Sequence, residues 1–209
     1  RNTAVRNVLC FGEMNGQIAL IISGGTPGFT FEWSNGETTQ NLDNLSAGTY
    51  TVTSTDANGC TESTSATVAQ PAVLSFTMTV QDVSCNGLSD GSINAGVSGG
   101  TPGFTFEWSN GNTTSALLNV PAGTYTLTIT DSNGCTHSNS ATIDEPPAIE
   151  AGTEVTNAGC AGATNGAVDL TVSGGVPGYT FDWSNGSTEE DLTDVAAGTY
   201  TVTITDNTG

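Results

Sequence analysis

The stretch SGGTPGFTFEWSNG occupies residues 23–36 and returns unchanged at residues 98–111. A near copy, SGGVPGYTFDWSNG, occupies residues 173–186. Its paired glycines and its Pro-Gly step are typical of a sharp turn, and the closing SNG predicts a second turn. Between the turns, period-two alternation puts Phe31 and Trp33 on one face and polar residues on the other. The stretch therefore predicts one half-buried strand between two turns.

One offset relates the three copies. Cys10, Cys85 and Cys160 stand 75 residues apart. The same offset relates further residues along the chain: Trp33, Trp108 and Trp183; Tyr50, Tyr125 and Tyr200; Cys60 and Cys135. A unit of this length is larger than a solenoid repeat and fits a small independent domain. We therefore expect three domains, at residues 1–71 with a trimmed first strand, 72–147, and 148–209 with the last strand cut off.

Each repeat has the strand pattern of an immunoglobulin-like sandwich. Six or seven short strand candidates are separated by regular turn signals, with a tryptophan on a middle strand and a tyrosine opening a late one. The tyrosine follows L-x-A-G, as in LSAGTY, which is similar to a tyrosine corner. We expect an all-β fold of tandem immunoglobulin-like (fibronectin III-like or PKD-like) β-sandwich domains, end to end. The predicted core aromatics are Phe31, Trp33, Tyr50, Phe106, Trp108, Tyr125, Phe181, Trp183 and Tyr200.

The charge of the chain excludes several classes of partner. There are 2 Lys and Arg residues against 21 Asp and Glu residues, and the isoelectric point is near 4.1. Such an acidic surface repels phosphate backbones and anionic lipids. No apolar run approaches the roughly 18 residues of a membrane-spanning helix. We therefore expect neither nucleic-acid binding nor membrane insertion.

The cysteines predict disulfides in an oxidising extracellular setting, because two of them occur at fixed turn positions in each repeat. Pairing within a repeat, Cys10 with Cys60 and Cys85 with Cys135, is the leading interpretation. In a standard sandwich, however, the first and last hairpin turns lie at opposite ends, which is too far for a bond. Pairing of Cys10 with Cys135 across repeats is the alternative. Cys160 is expected to stay unpaired, because the third repeat stops before its second cysteine.

No catalytic constellation is evident in the sequence. The single histidine, His137, stands where the first repeat has Glu62, so the repeat does not require it, and no lysine or second histidine is present to activate a serine or threonine. We therefore expect no enzyme and no catalytic residue. The recurring acids Asp56 and Asp131 open the motif D-x-N-G, and Asp206 opens the corresponding D-N-T-G of the third repeat. A hairpin turn explains this motif, and a Ca²⁺ site is the alternative, which would make Ca²⁺ the sole cofactor.

The long segment GGTPGFTFEWSNGETTQNLDNLSAGTYTVTSTDANGC, with its two copies, resembles the SprB repeat of Bacteroidota cell-surface proteins. The resemblance implies a very large secreted adhesin, exported by type IX secretion and displayed at the cell surface, with gliding motility as a role in some relatives. The implied partners are neighbouring repeats of the same long chain, the secretion machinery, and an extracellular surface or polysaccharide contacted by other regions. The resemblance carries over no catalytic residues.

The predicted function is a structural or adhesive stalk or filament segment of such an adhesin. The alternative is a tandem carbohydrate-binding module of a secreted polysaccharide-degrading protein. That alternative requires an exposed aromatic strip on which sugar rings stack. Solvent exposure of Trp33, Trp108 and Trp183 therefore discriminates between the two functions.

Overall fold

The computed structural model describes all residues 1–209, and every regular element in it is a β-strand. The molecule has no helix of the length and apolarity needed to cross a membrane. The strands of the first repeat are β1 Asn2–Arg6, β2 Gly16–Ile21, β3 Thr30–Trp33, β4 Leu42–Leu45, β5 Gly48–Thr55 and β6 Thr61–Val68. Those of the second are β7 Ser75–Gln81, β8 Gly91–Ser98, β9 Thr105–Trp108, β10 Ala116–Val120, β11 Gly123–Thr130 and β12 Thr136–Ile143. The third has β13 Glu150–Thr156, β14 Gly166–Ser173, β15 Thr180–Trp183, β16 Leu192–Val195 and β17 Val202–Thr205.

The strands of each repeat form two small sheets. The orders are β1-β2-β4 and β3-β5-β6 in the first repeat, β10-β8-β7 and β12-β11-β9 in the second, and β13-β14-β16 and β15-β17 in the third. Placing the first, second and fourth strands in one sheet and the third, fifth and sixth in the other is the immunoglobulin-like arrangement. The expected all-β class of tandem immunoglobulin-like sandwiches is therefore confirmed.

A β-bulge recurs in the fourth strand of each repeat. Between the pairs Gly16↔Leu45 and Ile18↔Leu42, β4 contains one residue more than β2. Asn44, inside that interval, has a positive φ of 55°, and its counterparts Asn119 and Asp194 have φ values of 54°. Asn and Asp tolerate this left-handed backbone better than other non-glycine residues. The bulge explains why short amides and acids recur at this position.

The core of the first repeat follows from the alternation in its strands, which directs every second residue inward. Trp33 belongs to a buried cluster that also contains Val8, Ile18, Leu20, Leu42, Leu45, Val52, Ala66 and Val68. Gly16 is required here, because a Cβ on it would lie 2.6 Å from Cγ1 of Val68. The cluster of the third repeat is smaller and contains Val168, Leu170, Trp183 and Leu192.

The predicted core aromatics differ in how deeply they are buried. Trp33, Trp108 and Trp183 are 2–3% exposed, and Tyr125 is also buried. The remaining ones are half-buried: Phe31, Tyr50, Phe106, Phe181 and Tyr200.

The chain divides into two compact units. One contains residues 1–78, 95–115 and 126–140, and the other contains residues 79–94, 116–125 and 141–209. The division runs through the second repeat. The boundaries expected from the repeat, after residues 71 and 147, therefore stay a prediction.

Candidate functional site

The D-x-N-G motif forms the turn between the last two strands of a repeat. In the second repeat the N–H of Asp131 donates to the carbonyl of Cys135 at 2.9 Å, and the N–H of Gly134 donates to the carbonyl of Asp131 at 3.0 Å. Gly134 has φ 85°, a left-handed conformation that glycine adopts without steric cost. The turn places Cys135 immediately before β12.

The Asp131 carboxylate is the centre of this turn. Its Oδ1 accepts the N–H groups of Asn133 and Cys135, both at 2.9 Å, and its Oδ2 accepts the N–H of Thr101, also at 2.9 Å. Burial of the group, which is 4% exposed, acts to raise its pKa. The N–H donors of Thr101, Cys135 and Asn133 outweigh that cost and hold the pKa below its ordinary value. The carboxylate thereby joins the turn to the SGGTPG loop.

The other repeats build the same turn. The Asp56 carboxylate accepts the N–H groups of Thr26, Asn58 and Cys60, and these donors, Thr26 first, lower its pKa. The Asp206 carboxylate accepts the hydroxyl of Thr208, which contributes most to its lowered pKa, together with backbone N–H groups.

A metal site does not emerge from these aspartates. Their carboxylate oxygens already accept backbone N–H groups, and nowhere in the chain do three His, Cys, Asp or Glu side chains gather closely enough to hold a metal ion. The structure places Asp56 and Asp131 in hairpin turns and Asp206 in the turn that follows β17, and the Ca²⁺ alternative gains no support from their surroundings.

The one disulfide joins Cys10 to Cys135, with a Cα–Cα distance of 5.7 Å. Asn133, in the same turn as Cys135, donates its side-chain N–H to the carbonyl of Leu9 at 2.9 Å. A covalent bond and a hydrogen bond therefore hold the first loop of repeat one against the D-x-N-G turn of repeat two. Both partners lie within one compact unit.

Pairing within a repeat, the leading interpretation of the sequence, is wrong for this structure, because Cys60 and Cys85 carry free thiols. The reason is the position of the turns. The loop after β1 lies beside the end of β6, since Val8 donates to the carbonyl of Ala69 at 2.9 Å. The D-x-N-G turn of the same repeat lies beside Thr26. The two turns occupy opposite ends of the sandwich, so the cysteine of the first loop meets the D-x-N-G turn of the next repeat.

The remaining cysteines have different surroundings. Cys60 and Cys160 are exposed free thiols. Cys85 is half-buried, and its Sγ lies 2.9 Å from Oγ1 of Thr208. Thr208 corresponds to Asn133 by the repeat offset, so the loop holding Cys85 contacts the D-N-T-G turn of the third repeat as the loop holding Cys10 contacts the D-x-N-G turn of the second.

The three tryptophans have no surface on which a sugar could stack. Besides being almost fully buried, each indole donates its Nε1–H to a backbone carbonyl, at 2.8–3.0 Å. The acceptors are Thr39, Thr114 and Glu189. The tryptophans therefore lack the solvent exposure that the carbohydrate-binding alternative requires.

The recurring tyrosines form tyrosine corners. The phenol of Tyr50 donates to the carbonyl of Ser46 at 3.0 Å, and that of Tyr125 donates to the carbonyl of Pro121 at 2.9 Å. Tyr200 bonds the carbonyl of Ala196 at 2.9 Å in the same way. These bonds fix the arch before the fifth strand, which is a structural role.

The contacts of Arg1 were not predicted from the sequence. Arg1 donates its Nε–H to Oγ of Ser54 at 2.9 Å and lies 4.9 Å above the ring of Phe29. By the repeat offset, Arg1 replaces Phe76, and Ser54 replaces Ile129. The paired change from two apolar residues to two polar ones was the signal in the sequence.

We expect Asp131→Ala to destabilise its turn by about 2–3 kcal/mol, because three N–H groups lose a buried charged acceptor. Amide hydrogen exchange at Thr101, Asn133 and Cys135 measures the effect. Asp131→Asn is the matched control, since it keeps one acceptor oxygen and should lose only part of the protection. Unchanged exchange in the alanine variant would show that the carboxylate does not hold the turn.

Acid should destabilise the chain through the turn carboxylates of Asp56, Asp131 and Asp206. Because their folded-state pKa values lie below the ordinary 3.8, they stabilise the fold above that pH, and the stabilisation disappears as the pH falls through the folded-state values. Urea midpoints between pH 7 and pH 2 should fall below about pH 4. A variant with Asp56, Asp131 and Asp206 all changed to Asn should fall less steeply; an equal slope would contradict the assignment.

A family comparison identifies the repeats. The SprB repeat model matches residues 2–38, 77–113 and 152–188, which together make up more than half of the chain. Each match begins at or close to the first strand of a repeat and ends just after the SNG turn. No curated protein matches the chain.

Solved structures of immunoglobulin-domain proteins also align with the chain. The amphioxus IgVJ-C2 molecule is 17% identical, with 61% of this chain and 94% of that chain covered and a TM-score of 0.31. An eight-domain fragment of the Down Syndrome Cell Adhesion Molecule is 14% identical, with 82% of this chain and 26% of that chain covered and a TM-score of 0.31. The family match rests on the repeat itself, and the chain belongs to the SprB repeat family.

Proposed function

We propose that the chain is a stalk or filament segment of a very large secreted cell-surface adhesin, with a structural and adhesive role and no catalytic step. One observation supports this most directly: the tryptophans, the corner tyrosines and the turn aspartates that recur in all three repeats are used to build the fold. The recurring tryptophans are buried, the tyrosines close corners, and the aspartates hold turns. None of these recurring side chains is left over for a substrate.

The charge and the disulfide support an extracellular stalk. A formal net charge of −19 makes neighbouring copies repel one another, which opposes sticking between chains. The Cys10–Cys135 bond suits an oxidising compartment. Membership of the SprB repeat family supports surface display on a Bacteroidota cell, export by type IX secretion, and a role in gliding adhesion, with other regions of the whole protein contacting the substratum.

Cell-surface display tests the stalk. One, two and three tandem copies of the whole chain would be placed between a membrane anchor and a tip of known ligand, and the height of the tip above the membrane would be measured. A stalk should raise the tip in equal steps. With Gly/Ser linkers of the same lengths, the height of the tip should grow only as the square root of the number of residues. Heights that match the linker series would overturn the proposal.

Binding assays against a panel of polysaccharides test the adhesive mechanism separately. The chain alone should show no saturable binding, because its indoles are buried. Saturable binding that is lost on substitution of exposed residues would show that the repeats themselves bind the polysaccharide.

A further inference from the structure

The Cys10–Cys135 disulfide creates a second covalent route through the chain. Its two cysteines are separated by 125 positions in the sequence. A force applied at the ends of the molecule can pass from residue 10 to residue 135 either along the backbone or across two sulfur atoms. The sulfur route is far shorter, so it becomes taut first.

We propose that this disulfide carries the tension when the chain is pulled, so that residues 11–134 are shielded from extension until the bond is reduced. The inference rests on the proposed stalk function, and it adds a specific mechanical property to it. The shielded segment runs from β2 through β11, so it holds most of the first repeat's core and most of the second repeat's strands. Those strands cannot be pulled apart end to end while the bond is intact.

The segment before Cys10 lies outside the shielded loop and bears the force directly. It contains β1, which pairs with β2 over five residues from Asn2↔Ile21 to Arg6↔Gln17. Arg1 adds its bond to Ser54, a second bond at 3.0 Å to the carbonyl of Ser23, and the ring contact with Phe29. Once β1 has peeled away, the pulled chain reaches Cys10, and the force passes to Cys135.

The other end of the bond is anchored in the hydrogen-bonded D-x-N-G turn of the second repeat. Cys135 donates its N–H to the Asp131 carboxylate, and Asn133 bonds the carbonyl of Leu9. Force arriving at Cys135 then passes into β12 and the chain that follows it. A dithiol reductant opens the route by exchange: it supplies two electrons and two protons, Cys10 and Cys135 become thiols, and the reductant closes to its own disulfide.

Single-molecule stretching of the full chain, held by handles at its two ends, tests the inference. Oxidised molecules should reach their length limit early, with only residues 1–10 and 135–209 able to extend. Addition of dithiothreitol should lengthen the limit by roughly 450 Å, from 125 positions at about 3.6 Å each.

Two variants make the result specific. Cys10→Ser combined with Cys135→Ser should show the long limit with and without reductant. Cys60→Ser, which removes an exposed free thiol, should keep the short limit under oxidising conditions. Equal limits for the oxidised and reduced wild-type chain would overturn the inference, and so would a gain of roughly 180 Å, which corresponds to a 50-residue loop within one repeat. The display experiment measures height without force, so its failure is separate from failure here.

Discussion

Replacement of Trp33 by alanine should lower the free energy of unfolding of the first repeat by about 3–5 kcal/mol. The indole is 2% exposed and contacts a core that includes Ile18, Leu20 and Val52, so its removal leaves a cavity among residues that cannot close it fully. The Nε1–H bond to the carbonyl of Thr39 is lost as well. Few other single substitutions in the repeat remove so much buried surface.

Trp33→Phe is the matched control. It keeps an aromatic ring in the core but loses the hydrogen bond and part of the volume, and we expect a smaller cost of about 1–3 kcal/mol. Because Trp108 and Trp183 also fluoresce, the effect is best followed by amide exchange in β2, β3 and β5 during urea unfolding. Equal protection in the alanine variant and the wild type would show that Trp33 does not organise the core.

Removal of the disulfide by Cys10→Ser with Cys135→Ser should lower the unfolding free energy of the linked unit by about 3–5 kcal/mol. The bond closes a loop spanning 125 positions, and in the chain-entropy model long loops restrict the unfolded state most. Without the disulfide, the hydrogen bond from Asn133 to the carbonyl of Leu9 still joins the first loop to the D-x-N-G turn.

Cys60→Ser and the reduced wild-type chain are the controls for this prediction. The first removes a free thiol and should stay within about 0.5 kcal/mol of the wild type, as an exposed substitution does. The second should behave like the double serine variant. A double variant as stable as the oxidised wild type would show that the bond does not stabilise the linked unit.

Much of the fold was predictable because the signals are local. Alternation predicted the strand that carries Phe31 and Trp33, and Asn-Gly and Pro-Gly steps predicted the turns. The bulge at Asn44 was not predictable, since a run of four strand residues does not reveal that one of them has a positive φ. The deep burial of Asp131 was also missed, because a D-x-N-G motif suits an exposed turn equally well.

The sequence by itself determined the repeat, the strand and turn pattern within it and the family, because each of these follows from residue spacing. The cysteine pairing was decided by the tertiary structure alone. Cys60 and Cys135 occupy the same position in consecutive repeats, 75 residues apart, so residue spacing alone does not show which of them pairs with Cys10. What distinguishes them is which turns share an end of the sandwich. The loop after β1 lies beside the end of β6, where its own D-x-N-G turn cannot reach, and so it bonds the turn of the following repeat.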